Sequence, residues 1–284
     1  MLKHKEKCPL YVYLDVVCHM IKSLLRILKI LVITYVVICG LLYFFQEKMI
    51  FFPEKLQNDY VFSFNQAFEE VNIITEDNVL LNGVLFKADT SKGLIFYLHG
   101  NAGSVKSWGR IANIYTDQDY DVFMLDYRGY GKSEGTISSQ NQIFKDVQTV
   151  YENLKSRYIE DKIIVLGYSI GTGIAAKLAS KNNPKLLILQ APYYSMVDMM
   201  KQYYPIIPTF LLKYKLETNI YIKDCKVPIV IFHGNRDTVI PYESSRKIKE
   251  LIKDAGTLII LHGQGHNGMS NNMKYLTELK KILE

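Results

Sequence analysis

The sequence predicts an α/β fold with a mostly parallel sheet, preceded by one apolar helix. Three observations support this prediction. Short, almost continuous apolar runs recur after residue 90, as expected of strands that are buried on both faces. Helical stretches alternate with these runs, which is typical of a parallel sheet flanked by helices. Near the N-terminus, residues Ile30 to Phe45 carry no charge, which favours contact with lipid.

Residues 1–48 are predicted to form a cytoplasmic segment and a signal-anchor helix over about residues 27–46. The uncharged stretch is slightly short for a bilayer, but Arg26 and Lys29 can extend toward the interface and lengthen the span. Most of the basic side chains of this segment precede the stretch, so the positive-inside rule predicts a cytoplasmic N-terminus and an extracytoplasmic main body. Residues 11–28 are expected to form an amphipathic helix that lies at the interface or extends the span.

Two alternatives to the anchor are a cleaved signal peptide and a core helix. A signal peptide is disfavoured because no small-x-small cleavage site follows the apolar stretch. A core helix is disfavoured because about 25 residues of basic, mixed sequence precede it. We therefore expect a single-pass membrane protein.

Residues 49–284 are predicted to form one domain that begins with a neck at Phe51-Phe52-Pro53 and an antiparallel hairpin, Phe68–Thr75 and Val79–Lys87. The parallel strands are expected at Leu94–Leu98, Val122–Leu125, Ile163–Leu166, Leu186–Leu189, Ile229–Phe232 and Leu258–Leu261. The helices are expected at about Ser104–Asp117, Ile137–Tyr158, Ile170–Ser180, Tyr242–Asp254 and Ser270–Leu283. Residues 193–226 interrupt this alternation with many aromatic and apolar side chains, which indicates a small cap over a pocket.

A G-x-S-x-G pentapeptide, Gly167 to Gly171, lies between a predicted strand and a predicted helix. A serine on such a turn has its hydroxyl raised above the sheet, and the flanking glycines let neighbouring backbone approach closely. The N-terminus of the following helix favours negative charge on a nearby oxygen. Ser169 is therefore a candidate nucleophile; the alternative is a Gly-rich turn that only packs the helix on the strand.

A base and an acid are expected on loops after later strands, since functional groups gather at the carboxyl ends of parallel strands. His266 follows the last strand on a Gly-flanked loop, and Asp237 follows the strand before it, in the order Ser, Asp, His that this type of elbow uses. His266 would take the proton of Ser169, and Asp237 would orient the imidazole. The alternatives are His262 for the base and Asp198 for the acid.

The candidate oxyanion hole combines two main-chain N–H groups. One belongs to Ile170, the residue after the serine, and the other to Asn101, in the loop after the first parallel strand. The alternative for the Asn101 loop is a Gly-rich strand-helix turn without a catalytic role. The loop from Asp126 to Ser133 is predicted to shape the wall of the site rather than bind phosphate.

With these residues in view, the chain resembles the α/β-hydrolases, and more narrowly the Bem46-like membrane-anchored serine hydrolases. The resemblance runs from about Leu41 to the C-terminus and rests on HGNAGS at 99–104, DYRGYGKSEGT at 126–136, GYSIGTG at 167–173, HGNRDTVIP at 233–241 and GQGHN at 263–267. It implies an α/β-hydrolase fold with Ser169, Asp237 and His266 as catalytic residues and the Asn101 and Ile170 amides as oxyanion donors. It fixes the reaction type better than the substrate.

The leading functional hypothesis is a membrane-anchored hydrolase of carboxylic esters or thioesters, with an acyl or lipid-derived substrate and an acyl-enzyme intermediate. A serine peptidase and a noncatalytic membrane-tethered binding protein are the alternatives. The net charge of +6 is concentrated in the N-terminal segment, so no nucleic-acid partner is expected. No cofactor or metal is expected, since no Cys/His spacing resembles a zinc site.

Overall fold

The computed structural model describes residues 9–252 and 256–284. The chain divides into two compact units, one that ends at Gln46 and one over Glu47–Glu284. The first unit is formed by helix α1 (Pro9–Phe44), whose section Tyr13–Phe44 is long and apolar enough to cross a membrane. The helix expected over residues 11–28 and the span expected over about residues 27–46 form one helix, which continues unbroken from Pro9 to Phe44. No glycine or proline interrupts residues 10–39, so nothing ends the helix there.

The second unit is an α/β domain. Its strands are β1 (Phe52–Pro53), β2 (Phe68–Ile74), β3 (Leu80–Phe86), β4 (Gly93–Leu98), β5 (Ala102–Gly103), β6 (Tyr120–Leu125), β7 (Ile163–Tyr168), β8 (Leu186–Gln190), β9 (Ile229–Gly234) and β10 (Gly256–Leu261). The helices after α1 are α2 (Gln46–Ile50), α3 (Val105–Trp108), α4 (Asn113–Thr116), α5 (Gln140–Lys155), α6 (Gly171–Ala179), α7 (Met196–Tyr203), α8 (Thr218–Tyr221), α9 (Glu243–Ile252) and α10 (Met273–Leu283). Short 3₁₀ turns lie at Gly109–Ile111, Glu160–Lys162, Thr209–Leu211, Ile222–Asp224 and Met269–Asn271.

The main sheet has the strand order β10-β9-β8-β7-β4-β6-β3-β2. Strand β3 pairs antiparallel with β2 and with β6, and the other neighbours pair in parallel. Alternate residues of β4 point to opposite faces: Leu94, Phe96 and Leu98 join one apolar cluster with α5 and α6, while Ile95 and Tyr97 join another with α4 and α10. Both faces are therefore covered, which explains the continuous apolar runs and confirms the predicted fold class.

Two local predictions differ from the structure in detail. The expected helix Ser104–Asp117 is broken into α3, a 3₁₀ turn and α4, where Gly109 packs so closely on Phe64 and Phe86 that a Cβ would lie 2.6 Å from the Phe64 ring. The expected neck is part of the domain: Phe51 is buried against Tyr214, and β1 pairs in parallel with β5. A neck would have no such partners. Although this segment closely follows the apolar helix in sequence, burial of its apolar side chains makes it part of the domain.

Candidate active site

Ser169 lies on the turn between β7 and α6 with a φ of +52°, a left-handed conformation that costs energy for a residue with a side chain. The flanking glycines are required by sterics. A Cβ on Gly167 would lie 2.5 Å from the carbonyl oxygen of Gly171, and one on Gly171 would lie 2.1 Å from that of Leu98. The turn therefore depends on both glycines, and it presents the Ser169 hydroxyl at the carboxyl edge of the sheet.

The structure brings Ser169 together with the two predicted partners. The Nε2 atom of His266 lies 3.0 Å from the Oγ atom of Ser169, and its Nδ1 atom lies 2.7 Å from an oxygen of Asp237. The loop of His266 is held from the elbow itself, because the Tyr168 hydroxyl donates to the main-chain oxygen of His266 at 2.6 Å. With Nδ1 donating to the carboxylate, Nε2 is the acceptor that faces the serine hydroxyl.

Asp237 is buried but well supplied with donors. Its other oxygen accepts hydrogen bonds from the main-chain N–H groups of Val239 and Ile240, each at 2.8 Å, and His233 lies 3.3 Å from the oxygen that faces His266. Burial alone would raise the pKa of this carboxyl, but hydrogen bonds from His233, His266 and Ile240 outweigh it and hold the pKa well below its usual range. Asp237 therefore carries negative charge beside the imidazole at neutral pH.

The alternative acid and base lie elsewhere. His262 is exposed, and its ring contacts the side chain of Asn235 at 3.4 Å. Asp198 lies in the first turn of α7, where its N–H bonds the capping Ser195 and its carboxylate pairs with Lys247 at 3.0 Å. Among the described residues, neither His262 nor Asp198 forms a hydrogen bond or ion pair with Ser169, so the geometry favours His266 and Asp237.

The two candidate oxyanion donors flank Ser169. Within residues 9–252 and 256–284, the N–H groups of Asn101 and Ile170 donate to no other protein group, and both residues line the cleft beside the serine. The Asn101 loop is firmly held, because every carbonyl from His99 to Gly103 accepts a hydrogen bond. The Tyr127 hydroxyl donates to the carbonyl of His99, and His99 Nδ1 donates to that of Gly100. The Asn101 carbonyl accepts from the Phe52 N–H and from the Tyr130 hydroxyl. Trp108 Nε1 donates to the carbonyl of Ala102, and the Glu54 N–H donates to that of Gly103.

A buried pair of ionisable groups lies at this loop. His99 Nε2 is 3.8 Å from an oxygen of Asp126, and both side chains are fully buried. Burial lowers the pKa of His99 to about 4 and raises that of Asp126 to about 7. The same Asp126 oxygen accepts the N–H of Val105 at 2.8 Å, which ties the start of α3 to the end of β6.

The cleft at Ser169 has a volume of about 160 Å³ and a mainly apolar wall. The lining residues are Met49, Ile50, Asn101, Ser169, Ile170, Tyr193, Met196, Met199, Val239 and Ile240. None of these side chains is acidic or basic. In the part of the chain that the structure describes, no group of three His, Cys, Asp or Glu side chains is arranged to hold a metal ion.

Sequence reasoning missed several residues that build this site. Met49 and Ile50 line the cleft although they immediately follow the apolar N-terminal segment, and Tyr130 and Tyr193 bond the main chain on either side of the serine. The sequence shows many aromatic residues in the loop from Asp126 to Ser133 and in the cap at residues 193–226. The residues that they contact are distant in sequence. No periodicity or spacing signals such contacts.

Comparison with known proteins agrees with this architecture. A family model described as serine aminopeptidase, S33, matches residues 89–220, a range that holds Asn101 and Ser169 and ends before Asp237. Protein bem46 of Schizosaccharomyces pombe is 31% identical over 219 residues, which cover 71% of this chain and 73% of that protein. The lysophosphatidylserine lipase ABHD12 of Macaca fascicularis is 28% identical over 221 residues, 68% of this chain and 55% of that protein.

Among solved structures, an esterase of Pyrococcus furiosus superposes with a TM-score of 0.65 at 20% identity, covering 82% of this chain and 97% of the esterase chain. At this identity the superposition bears on the fold alone. It is an α/β-hydrolase fold, in agreement with the sheet order and the strand-elbow-helix turn at Ser169. From the identity and coverage shared with bem46, together with this fold, the chain belongs to the Bem46-like family of α/β-hydrolases.

Proposed function

We propose that this hydrolase is a membrane-anchored serine enzyme that cleaves carboxylic esters or thioesters of acyl or lipid-derived substrates. One observation carries the proposal. A continuous hydrogen-bonded chain leads from the Ser169 hydroxyl through His266 to the charged Asp237. Beside it, Asn101 and Ile170 line the cleft, and their N–H groups donate to no other described protein group.

The geometry supports the following reaction. Ser169 Oγ attacks the substrate carbonyl carbon while its proton passes to His266 Nε2, and the carbonyl oxygen becomes an anion held by the N–H groups of Asn101 and Ile170. When this intermediate collapses, the bond to the alcohol or thiol breaks and the leaving group takes the proton from His266. Water then attacks the acyl-serine ester by the same proton route, which releases the acid and restores the hydroxyl of Ser169.

The cleft favours an acyl substrate over a peptide with a free amino terminus. Met49, Met196 and Met199 offer flexible apolar surface that suits an alkyl chain. An aminopeptidase needs an acidic side chain to bind the substrate's ammonium group, and the lining residues of this cleft include none. The name of one similar protein, a lysophosphatidylserine lipase, agrees with an ester substrate.

We assign the anchor to α1, with the N-terminus in the cytoplasm and the catalytic domain outside it, because basic residues precede the apolar section. Residues 1–48 then form the anchor segment and 49–284 the catalytic domain, with residues 193–226 as its cap. Proteolysis of sealed vesicles tests this topology: protease should digest the catalytic domain from the extracytoplasmic side only, and digestion from the cytoplasmic side would refute it.

The test of the reaction is labelling of the full-length protein, in detergent, with a fluorophosphonate that reacts with activated serines. Wild-type protein should label and Ser169→Ala should not, while esters and thioesters should be hydrolysed by the wild type alone. Equal hydrolysis by both proteins would refute the mechanism. A folded wild-type protein that neither labels nor hydrolyses any substrate would favour the binding-protein alternative, and cleavage of aminoacyl anilides without ester turnover would favour the peptidase.

A further inference from the structure

Two buried tyrosines hold the main chain on the two sides of the proposed oxyanion hole. The hydroxyl of Tyr130 donates to the carbonyl oxygen of Asn101 at 2.7 Å, and that of Tyr193 donates to the carbonyl oxygen of Ile170 at 3.1 Å. The two tyrosines come from different loops and are almost completely buried. The same chemical contact thus occurs at both residues that are proposed as oxyanion donors.

The position of a residue's carbonyl restricts the direction of its N–H. The two groups share one Cα atom, and only two soft dihedral angles separate them, since each peptide unit is planar. An oxyanion donor stabilises the developing charge only when it already points at the oxygen, to within a few tenths of an ångström. A hydrogen bond to the carbonyl of Asn101 or of Ile170 therefore limits how far the corresponding N–H can turn away.

We propose that Tyr130 and Tyr193 are positioning residues for the oxyanion hole, an inference that rests on the proposed ester or thioester hydrolysis. Neither hydroxyl touches the reacting atoms; each acts through the donor residue whose carbonyl it binds. The two hydrogen bonds serve one function, because both N–H donors must point at the same substrate oxygen.

The surroundings of the tyrosines fit this role. The ring of Tyr130 packs edge-on against Tyr127, with ring centres 5.7 Å apart, which fixes the direction of its hydroxyl. The hydroxyl of Tyr193 occupies space left by Gly173, where a Cβ would lie 2.0 Å from the hydroxyl oxygen. Burial raises the pKa of both tyrosines, so each keeps its proton at neutral pH and can donate.

The test compares Tyr130→Phe and Tyr193→Phe with Tyr151→Phe in the full-length protein. Tyr151 is a matched control, since it is a buried tyrosine of α5 whose hydroxyl bonds Glu160 at 3.2 Å. Complete removal of an oxyanion donor lowers kcat by about 100- to 1000-fold, and loosening one should cost a part of this, about 5- to 10-fold. We expect this loss in kcat with little change in KM for both variants, and no loss for the control.

A second readout separates positioning from folding. A linear alkylboronic acid forms a tetrahedral anion on an activated serine, so its affinity should fall by the same factor as kcat, while the melting temperatures of all three variants fall to a similar extent. Gly173→Ala provides an independent perturbation, because the new methyl displaces the Tyr193 hydroxyl, and it should give the same two losses if Tyr193→Phe folds poorly.

Unchanged kcat and boronate affinity in both Tyr130→Phe and Tyr193→Phe would overturn the inference, as would a rise in KM alone. These results differ from a failure of the proposed function, in which the wild-type protein itself would show neither serine labelling nor ester turnover.

Discussion

The volume of the cleft predicts which acyl chain the proposed ester hydrolysis should favour. At about 160 Å³ the cleft is close in size to a cavity that holds benzene, so we expect it to enclose about six carbons. Each buried methylene contributes about 0.8 kcal/mol, or about fourfold in kcat/KM. From an acetyl to a hexanoyl ester, kcat/KM should thus rise about 200-fold, and longer chains should gain little because their ends leave the cleft.

Shortening one wall residue tests the reasoning directly. Met199 lines the cleft on α7, and Met199→Ala removes three heavy atoms, which makes room for about three more carbons at the packing density of a protein interior. The optimum should move from about six to about nine carbons. The assay is kcat/KM for 4-nitrophenyl esters from acetyl to dodecanoyl.

Met200→Ala is the matched control, because Met200 lies on the same helix but does not line the cleft. It should leave the chain-length profile unchanged. An optimum that stays in place in Met199→Ala, or that moves equally in Met200→Ala, would show that the acyl chain binds outside this cleft.

Three further predictions concern the catalytic acid, the elbow and the buried carboxyl. Asp237→Asn should lower kcat about 10⁴-fold, because an amide favours the wrong tautomer of His266, and a loss below tenfold would contradict the assignment of the acid. Gly171→Ala should lower the melting temperature by about 5 °C or more, measured by circular dichroism, because its Cβ collides with the Leu98 carbonyl; an unchanged value would contradict the steric argument. Burial raises the pKa of Asp126 to about 7, so its contribution to stability is present below about pH 4 and is lost as the pH rises to about 7. In Asp126→Asn, the urea midpoint should fall less over this pH range than in the wild type. An equal fall in the two proteins would contradict the raised pKa.

The parts of the fold that follow from local pattern were predictable. Continuous apolar runs located the central strands, and the turn residues Glu76-Asp77-Asn78 located the hairpin; Asn78 indeed has a φ of +60°. The strand-end rule led to Asp237 and His266. In the structure, His266 lies within hydrogen-bonding distance of Ser169, and Asp237 within hydrogen-bonding distance of His266. Their catalytic roles stay predictions until they are measured.

What could not be predicted depends on contacts between distant segments. The parallel pairing of β1 with β5 joins residues about 50 positions apart, and a two-residue strand has no detectable period. The helix expected after Ser104 is broken where Gly109 meets two phenylalanine rings, and its local sequence alone does not show those rings. Local propensity gave way in both places to tertiary packing.

The pairing of β1 with β5 has a practical consequence for anyone who wishes to separate the α/β domain from the apolar helix. Strand β1 begins eight residues after α1 ends, and in between Glu47 bonds Lys213 at 2.9 Å. A form of the protein that starts after Pro53, whether made by a protease or from a shortened gene, lacks the Phe52 N–H that donates to the Asn101 carbonyl. The first residue of an active soluble form therefore belongs at Glu47 or earlier.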